Sequence, residues 1–94
     1  MLSILKIFNG NNWWVLSVAI SPDSNYVISG SFDGKIIIWD LKTGEIIRTL
    51  AEHRREVNSI SISPDCKYIA SGSNDKTIKI LNLLEAEIKN LMYY

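Results

Sequence analysis

The sequence predicts an all-β protein made of two similar four-stranded antiparallel sheets. The first observation is an internal repeat: SGSFDGKIIIWD, residues 29–40, returns 42 positions later as SGSNDKTIKILN, residues 71–82. The second is that the segments around these phrases are short runs rich in β-branched side chains, each bounded by turn residues. A fixed period of this size is typical of proteins in which each repeat buries its faces against its neighbours.

The repeat extends well beyond the opening phrase. At the same offset, VLSVAISPDSNYVISGS (residues 15–31) aligns with VNSISISPDCKYIASGS (residues 57–73), and EIIRTL (45–50) aligns with EIKNLM (87–92). Chance similarity does not keep one register for so long. We therefore expect the same four strands in both halves of the chain.

Each predicted strand ends at residues that favour a turn. The runs VLSVAI and VNSISI both end at Ser-Pro-Asp, in which proline presets the backbone angle of a type I turn and the polar oxygens bond nearby amides. Asp33-Gly34 is a strong hairpin signal because glycine accepts the positive φ of tight turns. The predicted strands of the first repeat are residues 15–20, 25–31, 35–40 and 45–50.

The composition favours one small folded domain and argues against several classes of function. Of the 94 residues 47% are hydrophobic, and ten Lys and Arg balance ten Asp and Glu, so no net charge attracts nucleic acid or an anionic membrane. No apolar run approaches the ~20 residues that span a bilayer. The single Cys66 gives no disulfide or metal-ligand spacing. We expect a cytoplasmic protein without a metal or cofactor.

Several spaced motifs together resemble the WD-repeat family of β-propellers. Ser-Pro-Asp and Ser-Gly-Ser-x-Asp occur in both repeats, and Trp-Asp closes the first. The resemblance implies that each repeat is one four-stranded propeller blade, and full propellers have about four to eight blades. It divides the chain into an outer strand of another blade (residues 1–9), a first repeat (10–51) and a second repeat with a degenerate C-terminal end (52–94).

The resemblance also implies a buried hydrogen-bonded set in each repeat. In the family a His, a Ser or Thr, an Asp and a Trp form this set and stiffen the blade. Neither repeat has all four, because Asn11 replaces the His of the first and Leu81 replaces the Trp of the second. The residues implied are Asn11, Ser29, Asp33, Trp39, His53, Ser71 and Asp75.

His53, Ser71 and Asp75 also have the composition of a nucleophilic triad. A hydrolase presents its serine to the substrate beside oxyanion donors, usually on a Gly-x-Ser-x-Gly elbow, and this sequence has no such elbow. Hydrolysis would gain support only if His53 and Ser71 were both accessible and hydrogen-bonded to each other. The structural role accounts for all three residues, so we expect no catalytic residues and no enzyme activity.

The resemblance further implies a binding surface formed by loops at one end of the blades. Loops on a rigid scaffold commonly carry function, and Trp and Arg are enriched at interface hot spots. The expected function is a non-enzymatic scaffold that binds a protein or peptide. The alternative is an accessory propeller segment of a larger regulatory enzyme, with catalysis elsewhere. The candidate partner-binding residues are Trp13, Trp14, Phe32, Arg54, Arg55 and Asn74.

Packing is the competing interpretation of the aromatic residues. Trp14 leads directly into the first strand and is placed to cover its own blade or an adjacent one, which would leave Trp13 and Phe32 accessible. An aromatic cluster at loop tips indicates an interface only if it forms a contiguous exposed patch.

The two ends of the chain raise the question of assembly. Residues 3–9 align with residues 45–51, so they are predicted to be an outer strand without a blade of its own. Residues 83–94 fit either a fourth strand or a short C-terminal helix, since their apolar side chains also have helical spacing. Two assemblies remain open. Three or four copies close a six- or eight-bladed ring, or the remaining blades belong to a longer chain.

Overall fold

The chain folds into two antiparallel sheets that pack face to face, which confirms the all-β class. A computed structural model describes residues 3–83, and the order of strands is β1-β2-β3-β4 in the first sheet and β5-β6-β7 in the second. No helix in this part of the chain is long and apolar enough to cross a bilayer. The strands are β1 Val15–Ile20, β2 Tyr26–Ser31, β3 Lys35–Asp40, β4 Ile46–Ala51, β5 Val57–Ile62, β6 Tyr68–Ser73 and β7 Ile78–Asn82.

The turn between β1 and β2 is held by its serine. The Ser21 hydroxyl donates to Asp23 Oδ1 over 2.6 Å and accepts the Tyr26 amide over 2.9 Å. Ser24 then takes a positive φ of 63°. The turn between β5 and β6 repeats this arrangement, with Ser63 donating to Asp65 over 2.6 Å. The shared Ser-Pro-Asp sequence therefore produces the same local structure twice.

The hairpin between β2 and β3 and its counterpart between β6 and β7 share an Asp but differ at the residue that follows it. Gly34 has a φ of 88°, and Lys76 at the equivalent position has a φ of 74°. Both lie in the left-handed region, which glycine enters without steric cost. Glycine is also required at the first position because a Cβ on Gly34 would overlap the carbonyl oxygen of His53.

The hydrophobic core lies between the two sheets. The sheets approach closely at Gly30, where an added Cβ would come within 2.5 Å of Val57 Cγ1. The Ser17 hydroxyl donates to the Val57 carbonyl over 3.2 Å and so joins β1 to β5. The buried residues of this layer are Ile28, Ile36, Ile38, Leu50, Val57, Ile69 and Leu83.

Part of the other face of the first sheet is covered by the N-terminal segment, which was predicted to be the outer strand of another blade. Residues 3–14 form no strand in the structure. Instead Phe8 packs edge-on against Trp39, with ring centroids 5.4 Å apart, beside Val27 and Ile37. β4 occupies the outer edge of the first sheet, and the pairing of the N-terminal segment with another blade stays a prediction.

The first three of the four strands predicted for the second sheet are present within residues 57–83. The predicted fourth strand and the alternative C-terminal helix both fall on residues 84–94, which lie outside the described residues. Leu83, the last described residue, is buried in the layer between the sheets. The second sheet therefore presents β7 as its outermost described strand.

Candidate interaction surface

The connections that enter β1 and β5 lie at the same end of the sheets as the hairpins between β2 and β3 and between β6 and β7. This follows from the antiparallel order of the strands. We call this end the loop face and define it as residues 10–14, 32–34, 52–56 and 74–77. Every candidate partner-binding residue named above lies on it. One backbone hydrogen bond joins its halves: the His53 amide donates to the Gly34 carbonyl over 3.2 Å, where Gly34 lies against the His53 backbone.

Three aromatic side chains form an exposed cluster on the loop face. The ring centroid of Phe32 lies 5.8 Å from that of Trp13 and 5.4 Å from that of Trp14. The Phe32 amide donates to the Trp14 carbonyl over 2.9 Å, which fixes the two loops together. Trp14 is 70% exposed, more than Trp13 at 55% or Phe32 at 39%. The competing interpretation, in which Trp14 covers its own blade, therefore does not describe this part of the chain, and cover by an adjacent blade stays a prediction.

The polar half of the loop face is organised around two short contacts. Arg55 Nε lies 3.1 Å from Glu56 Oε1, and the Asn74 amide donates to the Glu56 carbonyl over 3.1 Å. The Asn58 side chain donates to Asn74 Oδ1. Arg54 is exposed and lines a cleft of about 430 Å³. The side chains of Arg55 and Asn74 thus have partners within the loops, whereas Arg54 projects beside the cleft.

His53 is the centre of the hydrogen-bonded set of the second sheet. Its Nδ1 lies 2.9 Å from Asp75 Oδ2, and its Nε2 lies 2.7 Å from Ser71 Oγ. The ionised carboxylate only accepts, so Nδ1 carries the proton, and in the neutral ring Nε2 accepts the Ser71 hydroxyl. Asp75 also accepts the Arg54 amide over 3.1 Å. The set therefore ties the connection before β5 to the hairpin before β7.

Hydrogen bonds to the charged form set the ionisation of Asp75. The Thr77 hydroxyl is the largest influence, and the His53 ring and the amides of Arg54 and Thr77 act in the same direction. Together they hold the pKa of Asp75 well below its ordinary value of 3.8. The sequence-based prediction missed Thr77. The available signal was its place two residues after Asp75, a spacing at which a side chain and a carboxylate close a local turn.

The first sheet contains a different part of the same set. Trp39 Nε1 donates to Ser29 Oγ over 3.0 Å, and both residues are buried. Asp33 accepts from the Ser31 hydroxyl and from the Lys35 amide rather than from Ser29. Asn11, which replaces the His, has a buried Oδ1 without a hydrogen-bond partner. The sequence-based prediction also missed Ser31, although its position two residues before Asp33 is a local signal like that of Thr77.

The hydrolase hypothesis fails on access. His53 and Ser71 are hydrogen-bonded to each other, but Ser71 is only 1% exposed and His53 only 7%. A nucleophile must be presented to its substrate next to oxyanion donors, and a buried serine is not. Among the described residues no group of three or more His, Cys, Asp or Glu side chains is arranged to hold a metal ion.

The stacked antiparallel sheets, with loops gathered at one end and a buried His-Ser-Asp set, define the blades of a β-propeller. The family described as "WD domain, G-beta repeat" matches residues 2–40 and 44–82. The chain therefore belongs to the WD-repeat family. Each matched segment begins at the position of the fourth strand of one blade and ends with the third strand of the next blade, β3 or β7. The sequence repeat is therefore offset from the sheets by one strand.

Sequence relatives resemble part of this chain. It is 43% identical over 53 residues to the transcriptional repressor rco-1 of Neurospora crassa, covering 56% of this chain and 9% of the relative. It is 45% identical over 49 residues to the pre-mRNA-splicing factor PRP46 of Saccharomyces cerevisiae, covering 51% of this chain and 11% of the relative. The chain thus spans about a tenth of the length of these relatives.

Solved structures share the fold over most of the described chain. The WD40 repeats of RRP9 are 25% identical with a TM-score of 0.83, covering 87% of this chain and 26% of that one. The computationally designed Ika4 protein is 30% identical with a TM-score of 0.76, covering 88% of this chain and 49% of that one. Both comparisons support the assignment of the two sheets as consecutive blades.

Proposed function

We propose that this chain is a non-enzymatic interaction scaffold that binds a protein or peptide through its loop face. The observation that carries the proposal is the exposed cluster of Trp13, Trp14 and Phe32. Aromatic side chains supply a large contact area with few rotatable bonds, which makes them effective anchors at interfaces. The proposal needs only the loops, and it holds whether the other blades come from a longer chain or from other copies.

The chemistry of the loop face favours a partner with an apolar anchor beside an acidic group. The aromatic cluster provides the apolar half, and Arg54 lies on the adjoining loop with an exposed side chain. The backbone bond between His53 and Gly34 places these two halves next to each other. Arg55 contributes less free charge because Glu56 lies 3.1 Å away.

The relatives support a scaffold role in general terms. A transcriptional repressor and a pre-mRNA-splicing factor share this repeat while their names describe different processes. Similar blades in unrelated processes are typical of a platform whose function lies in its surface rather than in one reaction. The cytoplasmic location remains a prediction from the sequence.

The test is a selection of binding peptides followed by substitution of the cluster. A displayed library of random peptides is selected on the 94-residue chain, and the affinity of the recovered peptides is measured by isothermal titration calorimetry. We expect Trp13→Ala, Trp14→Ala and Phe32→Ala each to weaken binding by tenfold or more, which corresponds to about 1.4 kcal/mol. Arg54→Ala should weaken the peptides that carry an acidic residue more than those that do not.

Tyr68→Ala is the matched control. Tyr68 is an exposed aromatic residue at the start of β6, at the end of the sheet opposite the loop face. This variant should bind the selected peptides as the wild type does, and all variants should keep the wild-type circular dichroism spectrum. Peptides that bind all cluster variants equally well, or that are lost in Tyr68→Ala, would place the binding surface elsewhere.

A further inference from the structure

In the part of the chain that the structure describes, both outer faces of the stacked sheets carry open apolar surface. On the second sheet, Ile78 is 77% exposed and Ile80 is 63% exposed. On the first sheet, an open groove of about 700 Å³ separates the N-terminal segment from β1. The apolar residues that line this groove on the body of the first sheet are Val18, Ala19, Ile20, Val27 and Leu41. Contiguous apolar surface of this kind marks an interaction site.

The open groove has the same lining as a groove that is filled inside the chain. Between the sheets, Ile36 and Ile38 are buried in one hydrophobic cluster with a set of residues of the second blade. That set includes Ile60, Ile62, Ile69 and Leu83. Subtracting the 42-residue offset from these positions gives Val18, Ile20, Val27 and Leu41, four of the residues that line the open groove.

The residues that fill the inner groove also have counterparts on the open face. Ile36 and Ile38 of β3 correspond to Ile78 and Ile80 of β7 at the same offset, and both pairs are isoleucine. The inner pair is fully buried while the outer pair is exposed. Within residues 3–83, each chain therefore carries an unfilled groove at one end and the matching exposed isoleucines at the other.

Backbone features of the inner interface recur at the outer faces. Gly30 permits the close approach of Val57, and Gly72 holds the equivalent position on the open face. The counterpart of Val57 is Val15, which is exposed. The bond from the Ser17 hydroxyl to the Val57 carbonyl likewise has its counterpart in Ser59, which is exposed on the second sheet.

The N-terminal segment already lies where a strand of the neighbouring blade would lie. Phe8 corresponds to Leu50, which packs from β4 onto the next sheet, and Phe8 packs in the same way onto Val27 and Trp39. Residues 3–8 have the position of such a strand but pair with no sheet within residues 3–83. On the second sheet β7 is the outermost strand within residues 57–83.

We propose that a second copy of this chain seats the open face of its second sheet in this groove, with residues 3–8 of the first copy pairing along the partner copy's β7. The contact is head-to-tail, so each copy uses one face of each kind, and such contacts generate rings when the rotation closes. With two blades from each copy, three or four copies close a ring of six or eight blades, which lies within the range of about four to eight blades per propeller. The expected products are the trimer and the tetramer, with six or eight blades.

One residue opposes a complete repetition of the inner interface. Gly34 allows its turn to touch the His53 carbonyl, whereas Lys76 at the equivalent position carries a side chain. Its Cβ would meet the backbone of the partner copy's Asn11 if the geometry were repeated without change. Lys76→Gly should therefore strengthen the association between copies.

The first test is the mass of the 94-residue chain in solution, measured by sedimentation velocity over a concentration series. We expect the wild type to form a discrete trimer or tetramer that dissociates on dilution, and Lys76→Gly to associate at lower concentrations. Ile80→Asp should remain a folded monomer, because the charge lies on the docking face. Ser24→Asp adds the same group at an exposed turn outside both faces and should associate as the wild type does.

The second test separates a head-to-tail contact from any symmetric one. Val18→Asp damages only the groove and Ile80→Asp damages only the docking face, so each variant alone should be monomeric. An equimolar mixture retains one intact groove and one intact docking face, and it should form a 1:1 dimer and nothing larger. A wild type that stays monomeric at its highest soluble concentration, a variant that dimerises alone, or a mixture that stays monomeric would each overturn the proposal.

Discussion

The third strand of each sheet carries the same isoleucines in opposite environments. Ile36 and Ile38 of β3 are fully buried between the sheets, and Ile78 and Ile80 of β7 are mostly exposed. The rest of the strand sequence differs, KIIIWD at residues 35–40 against TIKILN at residues 77–82, but the hydrogen-bond register with the preceding strand is equivalent. Burial is thus decided by what lies on the next layer of the stack. An alternating or continuous apolar pattern predicts a face that needs cover, but it does not say whether the cover is present.

The hydrogen-bonded sets of the two sheets differ in a complementary way. The first sheet keeps the Trp39 to Ser29 bond and lacks the His, while the second keeps the His53 bonds and lacks the Trp. In the second sheet, Leu81 packs against the core cluster at the place of Trp39. Ser29 in the first sheet therefore keeps the hydrogen bond from Trp39, and Ser71 in the second sheet keeps the hydrogen bond with His53. The two bonds lie in separate sheets and share no residue.

The largest effect is expected from placing a charge at the equivalent positions of β3 and β7. Ile38→Asp places an unpaired charge in the buried layer, which costs about 3–5 kcal/mol, against a total stability for small domains of about 5–15 kcal/mol. We expect this variant to be unfolded or nearly so. Ile80→Asp carries the same group on an exposed face and should keep the wild-type secondary structure in dilute solution, where the chain is monomeric.

Thermal unfolding followed by circular dichroism checks both variants at equal low concentration. The sequence alone places both isoleucines in a layer between blades, and the exposure of Ile80 separates them. Equal loss of structure in the two variants would mean that the second sheet is covered even in the dilute chain.

Much of this fold was predictable because the repeat copies its turn chemistry. The Ser-Pro-Asp turn is stabilised within a few residues, through the Ser21 and Ser63 hydroxyls, so it needs no distant partner. The N-terminal strand was a different kind of prediction. A strand needs an edge to pair with, and the edge predicted for the N-terminal segment belongs to another blade, so this strand stays a prediction. Turns held by local hydrogen bonds can be predicted from one sequence. The structure of a segment that packs on or pairs with another blade depends on that blade as well.

The candidate site shows the same limit. The order of the strands places the loops of Trp13, Trp14 and Phe32 at one end, so their proximity follows from the topology. The additional hydroxyls of Ser31 and Thr77 were not predicted. Their roles depend on the side-chain rotamers of Asp33 and Asp75, which residue order alone does not fix.

A smaller effect is expected from exchanging the residue types at the equivalent positions 53 and 11 of the two hydrogen-bonded sets. His53→Asn should cost about 1–3 kcal/mol, because the buried Ser71 hydroxyl and the Asp75 carboxylate lose a shared partner. Asn11→His in the first sheet should raise the free energy of unfolding by about 1 kcal/mol, because Asn11 has a buried oxygen without a hydrogen-bond partner and lines a cleft with Asp33. Chemical denaturation gives both free energies of unfolding. Destabilisation by Asn11→His would show that the first sheet has no room for the full set.

The smallest effect is confined to acid solution and depends on the same difference between the sheets. The hydrogen bonds from Thr77, His53 and Arg54 hold the pKa of Asp75 below 3.8, so its ionised form is favoured in the folded state. A lowered pKa gives stability that is fully present above pH 3.8 and is lost as the pH falls below that value. Thermal unfolding between pH 7 and pH 2 should therefore show a steeper decline for the wild type than for Asp75→Asn, which has no carboxylate to titrate. The two curves should run parallel above pH 5. If they also run parallel below pH 4, the carboxylate of Asp75 is not the acceptor that joins the connection before β5 to the second hairpin.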